Sequence, residues 1–131
     1  MLFLDTSALL KRYVEEAGTD LVVQRMREDG EWAVSAVART EAEISLCRLG
    51  FEPGESVWQR LHEDWQRCHV IPVDPACLGR AAEIGCRCEV RTLDALHLAA
   101  ADRLPRPLVV LTFDRRLAEA GRAMELAVEG A

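Results

Sequence analysis

Four carboxylates stand out by where they fall. Asp5 closes the apolar run Met1–Leu4, Asp114 closes the run Leu108–Phe113, Asp94 lies in the first turn of a helical stretch that opens at Thr92, and Glu41 sits inside a helical stretch that follows Trp32–Ser35. Each aspartate alone has an ordinary use as a helix cap or first-turn acid, with Thr92 as the cap of the helix that carries Asp94. Caps have no reason to converge on one crevice, so the set asks for a further explanation. Glu41 shares the row Val37, Glu41, Ile44 with apolar residues, whereas Glu43, turned about 200° from it, suits solvent. A carboxylate among apolar groups is unfavourable unless it is paired or metal-bound. Packed together, four carboxylates repel and some take up protons at neutral pH. A hard divalent cation removes that conflict. Mg²⁺ keeps several waters and is held by a few carboxylates plus substrate phosphates, and it can activate a water and stabilise the leaving oxygen of a phosphodiester.

The elements that must position these acids alternate in type. Strands are expected at Met1–Leu4, Trp32–Ser35, His69–Val73, Leu108–Phe113 and Leu126–Val128. Helices are expected at Ala8–Glu16, Asp20–Asp29, Ala36–Leu49, Pro53–Arg67, from Asp74-Pro75 onward, at Thr92–Leu104 and at Asp114–Met124. Gly18, Gly30, Gly50, Pro105 and Pro107 mark breaks between them. Strands alternating with helices call for a mostly parallel sheet covered on both faces, an α/β fold. Ligands in such sheets bind beyond the carboxyl ends of the strands, which is where Asp5 and Asp114 fall. No linker or repeat interrupts the pattern, so residues 1–131 read as one domain.

Composition sets bounds on the chemistry. The chain has 131 residues, half of them hydrophobic, and a formal net charge of -6. That charge opposes simple electrostatic binding of nucleic acid, which needs cations facing the phosphates. A nucleic-acid enzyme of this charge must recruit metal ions or confine its arginines to one face. Arg115 and Arg116 follow Asp114 directly and suit either a polyanion or solvent. Five cysteines (Cys47, Cys68, Cys77, Cys86, Cys88) form no C-x-x-C pair, and they read as free thiols in a reducing cytoplasm. No secretory signal and no membrane-spanning run is expected.

The stretches Leu4-Asp5-Thr6-Ser7-Ala8-Leu9, Ser35 through Glu41, Leu93-Asp94-Ala95-Leu96-His97-Leu98-Ala99 and Leu111-Thr112-Phe113-Asp114 resemble the successive signatures of PIN domains. The match is closest to the VapC toxins of type II toxin–antitoxin modules and runs from Met1 to about Val128. The resemblance implies a three-layer α/β sandwich, Mg²⁺ or Mn²⁺ at the acidic pocket, cleavage of single-stranded or structured RNA, a cognate antitoxin and a homodimer. By resemblance, Asp5, Asp94 and Asp114 are metal-site aspartates and Glu41 is the glutamate of the second motif. Thr6 and Ser7 are similar to hydroxyl residues that orient the first aspartate, and Thr112 to the threonine beside the last acid. Arg115 and Arg116 become candidates for contact with RNA or antitoxin. His97, one turn from Asp94, reads as a partly buried structural histidine, since a metal already supplies an activated water.

Two other readings share these residues. A phosphatase of the haloacid dehalogenase kind also begins with strand-Asp and uses Mg²⁺, but it wants a second Asp where this chain has Ser7 and a Lys near its later motif, whereas Lys11 is the only Lys. A non-catalytic binding module on the same fold would not need the complete acid set. For partners, the stretches Ala8–Asp29 and Pro53–Arg67 carry Leu9, Leu10, Tyr13, Val14, Leu21, Val22, Val23, Met26, Trp58, Leu61 and Trp65, more apolar surface than one stripe needs, and so are expected to form an interface.

Overall fold

Strand β1 (Leu2–Leu4) is wholly buried, and its alternation divides the core. Phe3 faces one apolar cluster, together with Ala33, Leu98, Val110 and Leu117. Leu2 and Leu4 face the other, with Leu9, Met26, Val34 and Leu61. A short strand buried on both faces reads as an unbroken apolar run, as expected at the centre of a parallel sheet. The computed structural model describes residues 1–131. The remaining elements are α1 (Thr6–Lys11), α2 (Thr19–Glu28), β2 (Trp32–Ser35), α3 (Val37–Arg48), α4 (Ser56–Arg67), β3 (His69–Ile71), α5 (Pro75–Cys88), α6 (Thr92–Asp102), β4 (Val109–Thr112), α7 (Arg115–Ala123) and β5 (Ala127–Gly130).

The five strands are all parallel, in the order β3-β2-β1-β4-β5. The sandwich has three layers: α1 to α4 supply the cluster on one face and α5 to α7 that on the other. Chain order reverses direction between β1 and β4, so their carboxyl ends form the crevice where ligands of such sheets bind. Leu4 pairs with Leu111, which places Asp5 beside Thr112. No helix is long and apolar enough to cross a membrane, and all five cysteines are free thiols.

The elements fall where the sequence places them, with shifts at their ends. Helix α1 starts earlier than expected, at Thr6, because Asp5 caps it by accepting from the Ala8 N–H at 3.0 Å, and it stops at Lys11 rather than Glu16. The Lys11 ammonium bonds Ala17 O and the Glu16 carboxylate and lies over the Phe113 ring, holding the chain in a turn. That turn ends at Gly18 with φ +98°, where a Cβ would stand 2.7 Å from the Phe113 ring. Helix α6 is capped by Arg91, without a side-chain bond, and not by Thr92, which is its first helical residue.

The expectation of surplus apolar surface is not met. Leu9, Tyr13, Val22, Met26, Trp58 and Leu61 are buried, and Leu10, Val14, Leu21, Val23 and Trp65 are partly buried, because α1, α2 and α4 together roof one face of the sheet. The exposed large apolar residues lie elsewhere, at Ile44, Leu49, Val70, Leu78 and Leu93. The apolar count of these helices therefore gives no support to a homodimer.

Helices α1 and α4 are clasped by a polar group the sequence did not single out. Buried Asp64 accepts through one oxygen from the Tyr13 hydroxyl (2.7 Å) and from Arg12 Nε (2.6 Å). Burial and the Asp64 carboxylate push the Tyr13 phenol far above its ordinary range, so it remains a donor. Replacing Asp64 by Ala strands both donors and is expected to lower stability by about 1–3 kcal/mol. Asn, whose amide oxygen can still accept, should lose less. Urea unfolding of the two variants measures this, and an unchanged midpoint for Asp64→Ala would show that the clasp is idle.

Candidate active site

Asp5 lies at the carboxyl end of the central strand and is 3% exposed. Both of its oxygens accept from neutral donors. Oδ1 accepts from the Ala8 N–H at 3.0 Å and the Ser7 hydroxyl at 2.7 Å, and Oδ2 accepts from the Thr112 hydroxyl at 2.6 Å. The hydroxyls are themselves fixed: Ser7 Oγ accepts from the Phe113 N–H and Thr112 Oγ1 from the Asp114 N–H. One lattice thus joins the ends of β1 and β4. Burial pushes the Asp5 carboxyl above its ordinary range, and these bonds offset only part of that effect.

Glu41 approaches from α3. It is half-buried, and its Oε1 accepts from the Thr6 hydroxyl at 2.8 Å and lies 2.7 Å from His97 Nε2. Burial would raise this carboxyl, but the bonds from His97 and Thr6 outweigh it and hold the group below the usual range. Thr6 therefore serves Glu41, while Ser7 and Thr112 serve Asp5. The apolar row that drew attention to Glu41 is not a buried stripe: Ile44 is exposed, and the residues α3 buries are Ala38, Ala42 and Leu46. Glu43, expected in solvent, is partly buried, its side chain 30% exposed against 28% for Glu41, and it pairs with Arg39 and His62.

Asp94 and Asp114 share a cleft of about 820 Å³ with Glu41. Asp94 is in the first turn of α6, and Asp114 caps α7 through Oδ1, which accepts from the Leu117 N–H. Burial, then the Asp114 charge and to a smaller degree Asp5, push the Asp94 carboxyl above its ordinary range. Asp94 therefore lies close enough to Asp114 and Asp5 to be repelled by both. Arg91, Arg115 and Arg116 line the same cleft as exposed side chains, and none pairs with a carboxylate. Arg91 was not singled out from the sequence, since a lone Arg before a helix carries no local signal.

The structure thus brings the predicted residues to one end of the sheet: Asp5 and Asp114 cap helices, Asp94 is a first-turn acid, and Asp94 and Asp114 line the cleft with Glu41 while Asp5 lies buried. His97 is more buried and more engaged than a partly buried structural histidine, because its ring is bonded to Glu41. The dehalogenase-like arrangement does not form: Ser7 is spent on Asp5 and Lys11 on Glu16 and Ala17. All four acids offer hard oxygen donors, and at Asp5 burial, and at Asp94 burial and the Asp114 charge, disfavour the charged form, which suits a divalent cation. No three acid, imidazole or thiol side chains stand tightly enough to cage an ion by themselves.

Comparison with known proteins follows the same lines. The PIN domain sequence pattern matches residues 2–123. Ribonuclease VapC46 of Mycobacterium tuberculosis (strain ATCC 25618 / H37Rv) is 33% identical over 97% of this chain and 95% of its own length. The structure is similar to a toxin-antitoxin complex from Klebsiella pneumoniae, with TM-score 0.69 and 16% identity over 87% of each chain. It is equally similar to VapBC2 from Rickettsia felis bound to a DNA fragment from their promoter, with TM-score 0.69 and 15% identity over 98% of each chain.

Charge repulsion in the cleft has a measurable consequence. A carboxyl whose folded-state pKa is raised binds its proton more tightly in the folded protein, so stability falls as pH rises from the unfolded-state value through the folded-state value. Asp94→Asn removes that loss. In EDTA at neutral pH the variant is expected to melt at or above the wild-type temperature, and the difference should vanish toward pH 3. A thermal scan across pH checks this. A variant clearly less stable than wild type at neutral pH would show Asp94 to be chiefly a helix-stabilising acid.

Proposed function

The chain belongs to the PIN domain family, and from that premise we propose that it is a divalent-metal-dependent endoribonuclease toxin of the VapC kind, neutralised by a cognate antitoxin. The observation that carries this reading is the cleft at the β1–β4 reversal, where Asp94, Asp114 and Glu41 line the walls beside buried Asp5. The full-length ribonuclease relative supports the substrate class, and the toxin–antitoxin complexes of the same fold support the partner.

In this reading Asp5, Asp94, Asp114 and Glu41 hold Mg²⁺ or Mn²⁺. Bound there, the cation would activate a water and stabilise the charge that develops on a phosphodiester. The chain's own residues do the rest. Ser7, Thr112 and the Ala8 N–H fix the Asp5 oxygens. Asp114 is fixed by its capping bond to α7. Hydrolysis forms one P–O bond to water oxygen and breaks one P–O bond of the RNA backbone, the leaving oxygen taking up a proton. Arg91, Arg115 and Arg116, exposed at the rim of the cleft, meet the flanking phosphates that the net charge of -6 would otherwise repel. The same acidic cleft would welcome a cationic side chain sent in by an antitoxin.

Incubation of the purified protein with single-stranded RNA tests the proposal. Cleavage should stop in EDTA and return with Mg²⁺. Asp5→Asn and Asp94→Asn should each lower the rate by roughly 100-fold or more, the scale on which loss of one charge-stabilising group acts, and both should stay folded. Glu41→Gln should be similarly impaired and Glu43→Gln nearly silent. Full activity in EDTA, or equal effects at the two glutamates, would contradict this mechanism.

A further inference from the structure

His97 is almost wholly enclosed, at 3% exposure, and its Nδ1 is the only buried side-chain nitrogen or oxygen in the protein without a hydrogen-bond partner. Its Nε2 has two neighbours, Glu41 Oε1 at 2.7 Å and Thr6 Oγ1 at 3.4 Å. Thr6 donates its only proton to the same Glu41 oxygen at 2.8 Å, so both neighbours of Nε2 are acceptors there and Nε2 must carry hydrogen. Both bonds to Glu41 fall on Oε1, which leaves Oε2 without a protein donor on the residue's cleft side.

A contrast across the molecule gives this arrangement meaning. Carboxylates outside the cleft are commonly paired with arginine: Asp64 with Arg12, Glu43 with Arg39, Asp102 with Arg80, Asp74 with Arg103. At the site, the carboxyls of Asp5, Asp114 and Glu41 accept only from hydroxyls, backbone N–H groups and the His97 ring, and that of Asp94 accepts from no side chain or backbone donor. An arginine would hold Glu41 as firmly, but it would also neutralise the charge a bound cation needs.

We propose that His97 is a positioning residue: an imidazole on α6 whose Nε2–H, with the Thr6 hydroxyl on α1, clamps Oε1 of Glu41 and leaves Oε2 free in a residue that lines the cleft. This rests on the nuclease reading for Glu41 and deepens it, since the residue acts only through Glu41.

The test uses amide side chains of different reach. The amide nitrogen of Gln falls near the imidazole Nε2, and that of Asn near Nδ1. Under Mg²⁺, His97→Asn and His97→Leu should lower kcat by about 10- to 100-fold, the effect of losing a group that orients a metal ligand, with KM little changed. His97→Gln should recover most of that loss. In a Glu41→Gln background, His97→Asn should add almost nothing, since the two act as one unit. An Asn variant with wild-type kcat, a Gln variant as impaired as Asn, or full additivity with Glu41→Gln would overturn the proposal. A second measurement needs neither a variant nor catalysis. The ¹⁵N resonances of the His97 ring in the intact wild-type protein at neutral pH should show hydrogen on Nε2. An Nε2 without hydrogen overturns the proposal even if the protein cleaves RNA. A protonated Nε2 in a protein that cleaves none would instead overturn the nuclease reading and leave the clamp.

Discussion

The constraint on which the rest depends is a carboxyl group almost sealed at the end of the central strand. Asp5 is 3% exposed, and a charge so placed is tolerated only when donors surround it. Three do: a helix N–H and two hydroxyls. Their own positions require β4 to lie beside β1 in parallel register, since Thr112 stands across from Asp5 only because Leu4 pairs with Leu111. Loss of the register would leave the carboxylate without its Oδ2 donor. The same bonds start α1, and Thr112 and Ser7 in turn hold the backbone that leads to Asp114. Fold and site are thus fixed by one set of interactions.

Around that centre the electrostatics are divided. Outside the cleft, carboxylates are commonly matched to arginines on the same or a neighbouring helix. Inside it, Asp94 stays near Asp114 and Asp5 against their repulsion, and the arginines of that end stand at the rim. Such an arrangement is unfavourable for an isolated chain. It becomes favourable once a cation occupies the acids and a polyanion meets the rim, as expected where stability is given up for a function.

Most of the fold was legible because its signals are local. The apolar run before Asp5, the Asp74-Pro75 start of α5 and the Asp114 cap of α7 are read within a few residues, and β2 falls on the very residues expected. The four acids were legible for the same reason, each standing at an element's start or on a marked helix. What could not be read depends on contacts between distant segments. Thr6 sits next to Asp5 in sequence yet serves Glu41, 35 residues away. The Asp64 clasp spans more than 50 residues. The helical row that favoured Glu41 named the right residue with the wrong packing, since Ile44 faces solvent. Apolar richness in α1, α2 and α4 was read as an interface because a sequence does not show that three helices share one roof.

The central claim is that carboxylates from β1, α6 and α7 meet to hold one kind of divalent cation. Titration of the ¹⁵N-labelled protein with Mn²⁺, followed by paramagnetic broadening of its amide resonances, tests this most directly. Broadening should begin at residues 5–8, 93–97 and 113–116, be abolished by excess EDTA and be weakened in Asp94→Asn. Broadening centred elsewhere, or none at millimolar Mn²⁺, would contradict a metal centre at the β1–β4 reversal.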